Sequence, residues 1–199
     1  KKNPIIKERY FGVSNPEGNH GEDVKELYYY LDSTPTHSYM KMLYKYPQQE
    51  YPYAWLLDEN KRRTRNDPEF ELIDTGIFDD DKYFDVFVEY AKCTSGEILV
   101  RITVHNRGGE EASLHVLPTV WFRNTWDWGY DDYKPHLRQD SPGVMDIYHK
   151  DLGQYWLKAD GEAELLFCDN ETNSKRLYNY DDGKPFYKDG INDYLVQGA

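Results

Sequence analysis

Cysteine is nearly missing from this chain. Only Cys93 and Cys168 occur among 199 residues. Two cysteines make neither a disulfide framework nor a zinc cluster, so two reduced thiols in a cytoplasmic protein are expected. Long apolar runs are absent as well. No stretch nears the roughly 18 apolar residues that a membrane-spanning helix needs. The opening residues, KKNPIIKERYFG, have neither an initiator Met nor the apolar core of a secretion signal. That start, and the DYLVQGA end, read as cuts inside a longer chain. Basic residues are in deficit, with 24 Lys and Arg against 36 Asp and Glu and a net charge of −12. Phosphate backbones and anionic membrane surfaces attract the opposite sign, so neither nucleic acid nor a membrane is expected as a partner. The acid excess reads as solubility.

Several catalytic signatures are missing too. There is no G-x-S-x-G elbow and no HExxH, and neither cysteine has a nucleophile's surroundings. The GNHG piece at Gly18–Gly21 lacks the spacing of a dinucleotide or phosphate loop. Glu17, His20, Glu22 and Asp23 sit close together around it. Their glycine-rich setting reads as a tight loop bonding its own backbone, not as a metal centre. Asp79-Asp80-Asp81 lacks the rest of a calcium loop and reads as a solvated turn. The basic run from Lys61 to Arg65 reads as a solvated helix end. No metal and no cofactor is expected. There is no repeat at a fixed period and no low-complexity segment.

What is present is alternation. In YFDVFVEYAK, Phe84, Val86, Val88 and Tyr90 share a parity; in EILVRITVHN, Ile98, Val100, Ile102 and Val104 do. A period of two places each set on one face of a sheet. Ser95-Gly96 and Asn106–Gly109 supply turn chemistry. A third strand is expected in ASLHVLPTVWFR, residues 112–123, closing a meander. Further strands are expected at LYYYLD, at Glu69–Asp74, Val144–His149, Gln154–Ala159 and Ala163–Cys168, with Asp160-Gly161 as the turn joining the last two. Ile5–Phe11 is a further short candidate. Ser33-Thr34-Pro35 resembles a helix start, so a helix is expected over His37–Tyr46. A second helix is expected near Pro52, with acid–base pairs Asp58–Arg62 and Glu59–Arg63. Asn124–Pro142 and everything after Asn170 read as loop. The expectation is a single all-β domain over residues 1–199, an antiparallel β-sandwich of about nine strands with one or two short helices in its first third.

Aromatics make up 16% of the chain, with 19 Tyr and 5 Trp. Rings with polar tips suit wet binding surfaces and interfaces. The strongest local candidate is WFRNTWDWG, Trp121–Gly129. Arg123, Asn124 and Asp127 carry groups able to bond hydroxyls or a carboxylate, and Trp126 and Trp128 offer flat apolar faces. The same residues would equally serve as an interface, with the rings under a neighbouring domain and Arg123 and Asn124 fixing them through backbone bonds.

Three segments carry a resemblance: Glu17–Gln48, Phe70–Lys92 and Leu117–Gly129. They resemble bacterial glucosidase-like proteins of glycoside hydrolase family 63, which includes the mannosyl-oligosaccharide glucosidases. The resemblance implies an N-terminal β-sandwich joined to an (α/α)6 barrel that carries the acid and base carboxylates. No succession of amphipathic helices able to build that barrel is present here. No catalytic residue is therefore carried over. Glu22, Asp23, Arg123, Asn124 and Trp126 match the family's motifs and, with Trp128, are candidates for substrate or interdomain contact. The implied partners are the barrel of the same chain and a small oligosaccharide. The competing expectation is a self-standing carbohydrate-binding module, whose exposed Trp and Tyr would stack on sugar rings.

Overall fold

The computed structural model describes residues 27–198. Their fold is predominantly β, with two antiparallel sheets and a few short helices. Two compact units divide at Val116–Leu117.

The first unit is built on β1 (Leu27–Ser33), β2 (Tyr39–Pro47), β3 (Tyr83–Thr94) and β4 (Glu97–Asn106), in that order across the sheet. β3 and β4 form where alternation places them. β2 occupies the stretch in which a helix is expected. Tyr39, Met42, Leu43 and Tyr46 fit a helical period, but Met40, Met42, Tyr44 and Tyr46 fit a period of two equally well. Local bonds decide. Thr34 Oγ1 accepts from the Ser38 and Tyr39 amides at 2.9 and 3.1 Å. That closes a reversal between β1 and β2 where a helix cap is expected, and β2 then pairs with strands on both sides.

The register gives this sheet two unlike faces. One carries Tyr28, Tyr30, Met40, Met42, Phe84, Val86, Val88, Tyr90, Ile98, Val100, Ile102 and Val104. Tyr28, Tyr30, Met40, Tyr90, Ile98 and Val100 on that face are exposed. The opposite face is a charge ladder. Asp85 accepts from Lys45 at 2.7 Å and from Arg107 at 2.6 Å. Glu89 accepts from the Tyr39 hydroxyl at 2.7 Å and from two nitrogens of Arg101 at 2.9 and 3.0 Å. Each carboxylate thus ties three chain segments together, and charge-assisted bonds are the stronger kind.

Between β2 and β3 lie α1 (Tyr53–Arg62) and a 3-10 turn at Leu72–Thr75. α1 forms as expected after Pro52 and buries Tyr53, Leu56 and Leu57 at i, i+3 and i+4. Glu59 pairs with Arg63 at 3.3 Å, and Arg62 also turns to Glu59, at 3.4 Å, not to Asp58. Asn60 gives its amide to the Phe70 carbonyl and accepts the Phe70 amide. The 3-10 turn replaces the strand expected at Glu69–Asp74. The Asp74 carboxylate takes the Glu71 amide at 2.8 Å, and Gly76, at φ 68°, ends the turn in the left-handed region. Pro47, Tyr51, Leu72, Ile77 and Phe84 are buried as well and, with the α1 residues, form the unit's core.

The second unit holds β5 (His136–Ser141), β6 (Val144–His149) and β7 (Gly153–Lys158), ordered β5-β6-β7. β6 and β7 lie where alternation puts them. β5 falls inside the expected loop; the Pro142-Gly143 reversal, with Gly143 at φ 73°, brings it onto β6. Residues 112–123 form no strand, so the expected meander stops at β4. Pro118 removes one ladder donor there. Residues 163–168 likewise form no strand, and the Asp160-Gly161 turn follows β7 without joining two strands. After Asn170, where loop is expected, lie α2 (Ser174–Tyr178) and α3 (Gly190–Gln197). The Asn173 side chain caps α2 by accepting the Arg176 amide at 3.0 Å. Asp189, buried at the start of α3, accepts from Asn173 and Arg176. Ile5–Phe11 and the Glu17–Asp23 loop lie outside the described residues.

Candidate functional site

Trp126–Trp128 is a short 3-10 turn in the second unit. Its first bond runs from the Trp128 amide to the Thr125 carbonyl at 3.2 Å, and Gly129 leaves it at φ 74°. Asn124 steadies the entry, because its Oδ1 accepts the Asp127 amide at 3.2 Å. Its Nδ2 donates to Asp127 Oδ2 at 2.9 Å and to the Asn170 carbonyl at 3.0 Å. Asn170 returns the favour with an Nδ2 donor to the Phe122 carbonyl at 2.8 Å. Side-chain amides therefore splice two loops that have no ladder between them.

The centre of the splice is Glu171, with 3% of its surface exposed. It accepts the Trp126 indole N–H at 2.6 Å and the Lys184 ammonium at 2.5 Å, and Lys134 lies 3.6 Å away. Lys184 also donates to Asp127 at 2.9 Å, and Lys134 reaches Asp169 at 3.0 Å and sits over the Trp126 ring. Burial works against both charges of the Asp127–Lys184 pair, yet the bonds prevail. Asp127, bonded by Lys184 and Asn124, is held below the usual carboxylate range; Lys184, bonded by Asp127 and Glu171, is held above the usual lysine range. A carboxylate with a depressed folded pKa stabilises the fold above its unfolded value, near pH 4, and loses that contribution as pH falls through the folded value. Asp85 behaves the same way, its burial outweighed by bonds from Lys45 and Arg107. Acid unfolding, followed by fluorescence, is therefore expected to begin below about pH 4. In Lys184→Met, Asp127 returns toward its ordinary value and the acid midpoint moves to higher pH.

Arg123 and Trp128 form a separate pair. The guanidinium carbon lies 4.7 Å from the indole centre, and Tyr130 meets the same ring edge-on at 6.4 Å. Trp128 is 50% exposed, and Trp121 and Tyr130 are exposed too. The structure thus joins Asn124, Trp126 and Asp127 in one bonded cluster and leaves Arg123 and Trp128 stacked at the surface. Glu22 and Asp23 lie outside the described residues. Sequence reasoning passed over Glu171, Lys184 and Lys134. The one signal pointing to such an acceptor is that a part-buried indole N–H needs one, but it does not say where in the chain the acceptor lies. Chemically the cluster is a set of donors and acceptors bonded to one another, and Trp121, Arg123, Trp128 and Tyr130 are exposed residues close to it in sequence.

No family model matches the chain. No solved structure matches it either. A Saccharomyces cerevisiae protein, "Uncharacterized protein YMR196W", is 41% identical over 233 aligned residues. The match covers 99% of this chain and 21% of that protein, so the chain spans about a fifth of the length of the curated relative it matches. Among the described residues, no group of three or more His, Cys, Asp and Glu could hold a metal ion, and no helix is long and apolar enough to cross a membrane. Cys93 and Cys168 are both exposed and form no disulfide.

Proposed function

We propose that this chain is the non-catalytic N-terminal β-sandwich portion of a larger, cytoplasmic α-glycosidase related to glycoside hydrolase family 63. In this reading the whole enzyme hydrolyses short oligosaccharides or glycosyl-glycerates. An (α/α)6 barrel beyond these residues holds its acid and base. The observation that carries the reading is the exposed Arg123–Trp128 pair, with Trp128 in the same short turn as Trp126, whose indole is bonded to the buried Glu171. Tryptophan, tyrosine and arginine are the residues that dominate interface energetics. An uncovered set of them suits a seat for another domain at the rim of its pocket. The exposed apolar face of the β1–β4 sheet supports a layered body, because such a face is stable only when another layer covers it. The relative's greater length leaves room for that additional structure.

The test uses the long protein. Trp128→Ala and Arg123→Ala, separately, are expected to lower its melting temperature and its rate of α-glucoside hydrolysis. Loss of a central interface tryptophan costs on the order of 2 kcal/mol or more. The 199-residue piece alone is expected to hydrolyse no glycoside. An unchanged rate and unchanged melting in both variants, or hydrolysis by the piece alone, would overturn the proposal.

A further inference from the structure

A second aromatic surface lies on the β5–β6–β7 sheet, away from the Trp126 turn in sequence and built differently. The register sets two neighbouring rows on one face: His136, Tyr148 and Gln154, then Arg138, Asp146 and Trp156. Trp156 is 63% exposed and Tyr148 37%. They are diagonal neighbours on adjacent strands, which places their Cβ atoms about 7 Å apart. His136 lies against Tyr148, with ring centres 5.7 Å apart and planes tilted by 33°. Between the rings sits Asp146, with 4% of its surface exposed. It accepts from Arg138 Nε at 2.7 Å and from the Gln154 amide. One buried carboxylate thereby fixes two polar arms on the sheet face that carries the two exposed rings. The Nη groups of Arg138 and the amide oxygen of Gln154 have no partner among the described residues.

We propose that this face is a platform for a neutral saccharide, with Trp156 and Tyr148 as stacking surfaces and Arg138 and Gln154 as hydroxyl-binding arms. A pyranose presents an apolar C–H face and a rim of hydroxyls. Flat rings flanked by a fixed donor and a fixed acceptor match both features, and fixed polar groups among aromatics are how small-ligand sites set orientation. A dry protein contact fits this face poorly. Arg138 and Lys158 would lie within the covered area, and charge is depleted at interface cores. Stacked nucleobases fit poorly as well. Binding them draws on phosphate neutralisation, and this chain carries a net charge of −12. The proposal goes beyond the support role and does not depend on the Trp128 surface.

The experiment is calorimetric titration of the protein with α-linked and β-linked glucose oligosaccharides, with glucuronate and a single-stranded oligonucleotide as further arms. Wild type is expected to bind one of the neutral oligosaccharides saturably. Trp156→Ala and Arg138→Ala are each expected to weaken that binding on the order of tenfold, the worth of one stacking contact or one charge-assisted bond. Trp156→Tyr keeps a ring and is expected to retain most of the affinity. Trp55→Ala, which removes an exposed ring of the first unit, is expected to leave it unchanged, which separates this site from exposed aromatic surface in general. Far-ultraviolet circular dichroism confirms that each variant is folded. The proposal is overturned by any of three results: no saturable binding of a neutral saccharide, equal binding by wild type and Trp156→Ala, or stronger binding of glucuronate or the oligonucleotide.

Discussion

Glu171→Ala is expected to lower unfolding free energy by about 3 kcal/mol. The substitution removes the acceptor of the Trp126 indole N–H and one of the two carboxylates that hold Lys184. Breaking a fully buried ion pair from one side costs roughly 3–5 kcal/mol. The lower end applies because Lys184 and Lys134 keep about a third or more of their side-chain surface in water and can rehydrate. The indole cannot do so as readily, and an unpaired buried donor alone costs about 1–3 kcal/mol. Glu171→Gln separates the two contributions. Its amide oxygen still accepts from Trp126, but its neutral head no longer compensates Lys184, so a loss of about 1–2 kcal/mol is expected. Fluorine NMR of protein labelled with fluorotryptophan reads this locally, since the chain has five tryptophans and each gives its own resonance. The urea midpoint of the Trp126 resonance should fall most in Glu171→Ala and less in Glu171→Gln. Equal midpoints in wild type and Glu171→Ala would mean that the cluster does not hold the turn.

That cluster also shows where sequence stops being informative. Asn124, Trp126 and Asp127 stand out because they share a nine-residue stretch with three tryptophans. Glu171 belongs to an unremarked acidic stretch 45 residues beyond Trp126. Nothing about its immediate neighbours distinguishes it from the other carboxylates, and only the folded path brings it under the indole. The strands divide in the same way. β3, β4, β6 and β7 are legible because burial on one face writes a period of two into adjacent residues. β2 is not, because its tyrosines and methionines satisfy two periods at once and the pairing partners on both sides settle the matter. β5 is polar enough to read as loop, and its order comes from the β6 ladder and the Arg138–Asp146 bond. α2 and α3 are short and held by Asn173 and Asp189 from outside their own sequence, so propensity alone does not find them.

In the first unit the largest effect is expected from Leu56→Ala. Leu56 is 1% exposed and lies on the buried side of α1 with Tyr53 and Leu57. Truncation removes its transfer energy and leaves a cavity that a helix pinned through its C-terminal half closes poorly. The Asn60–Phe70 bonds and the Glu59–Arg63 pair hold the C-terminal half of α1 in place. A loss of about 3 kcal/mol is expected, within the range for leucine truncation in packed cores. Ile73→Ala is the control. Ile73 sits one residue from buried Leu72 but is itself exposed, so its loss should cost less than about 0.5–1 kcal/mol. Trp55 reports the outcome, being the sole tryptophan before Trp121. Its ring lies 5.4 Å from that of Phe70 on the exposed side of α1, so it senses unfolding of the helix without contributing to the buried core. The urea midpoint of the Trp55 fluorine resonance should drop sharply in Leu56→Ala and barely in Ile73→Ala. If both variants fall equally, α1 is held by its polar clamps at Asn60 and Glu59, and the small apolar core beneath it is not what keeps the helix in place.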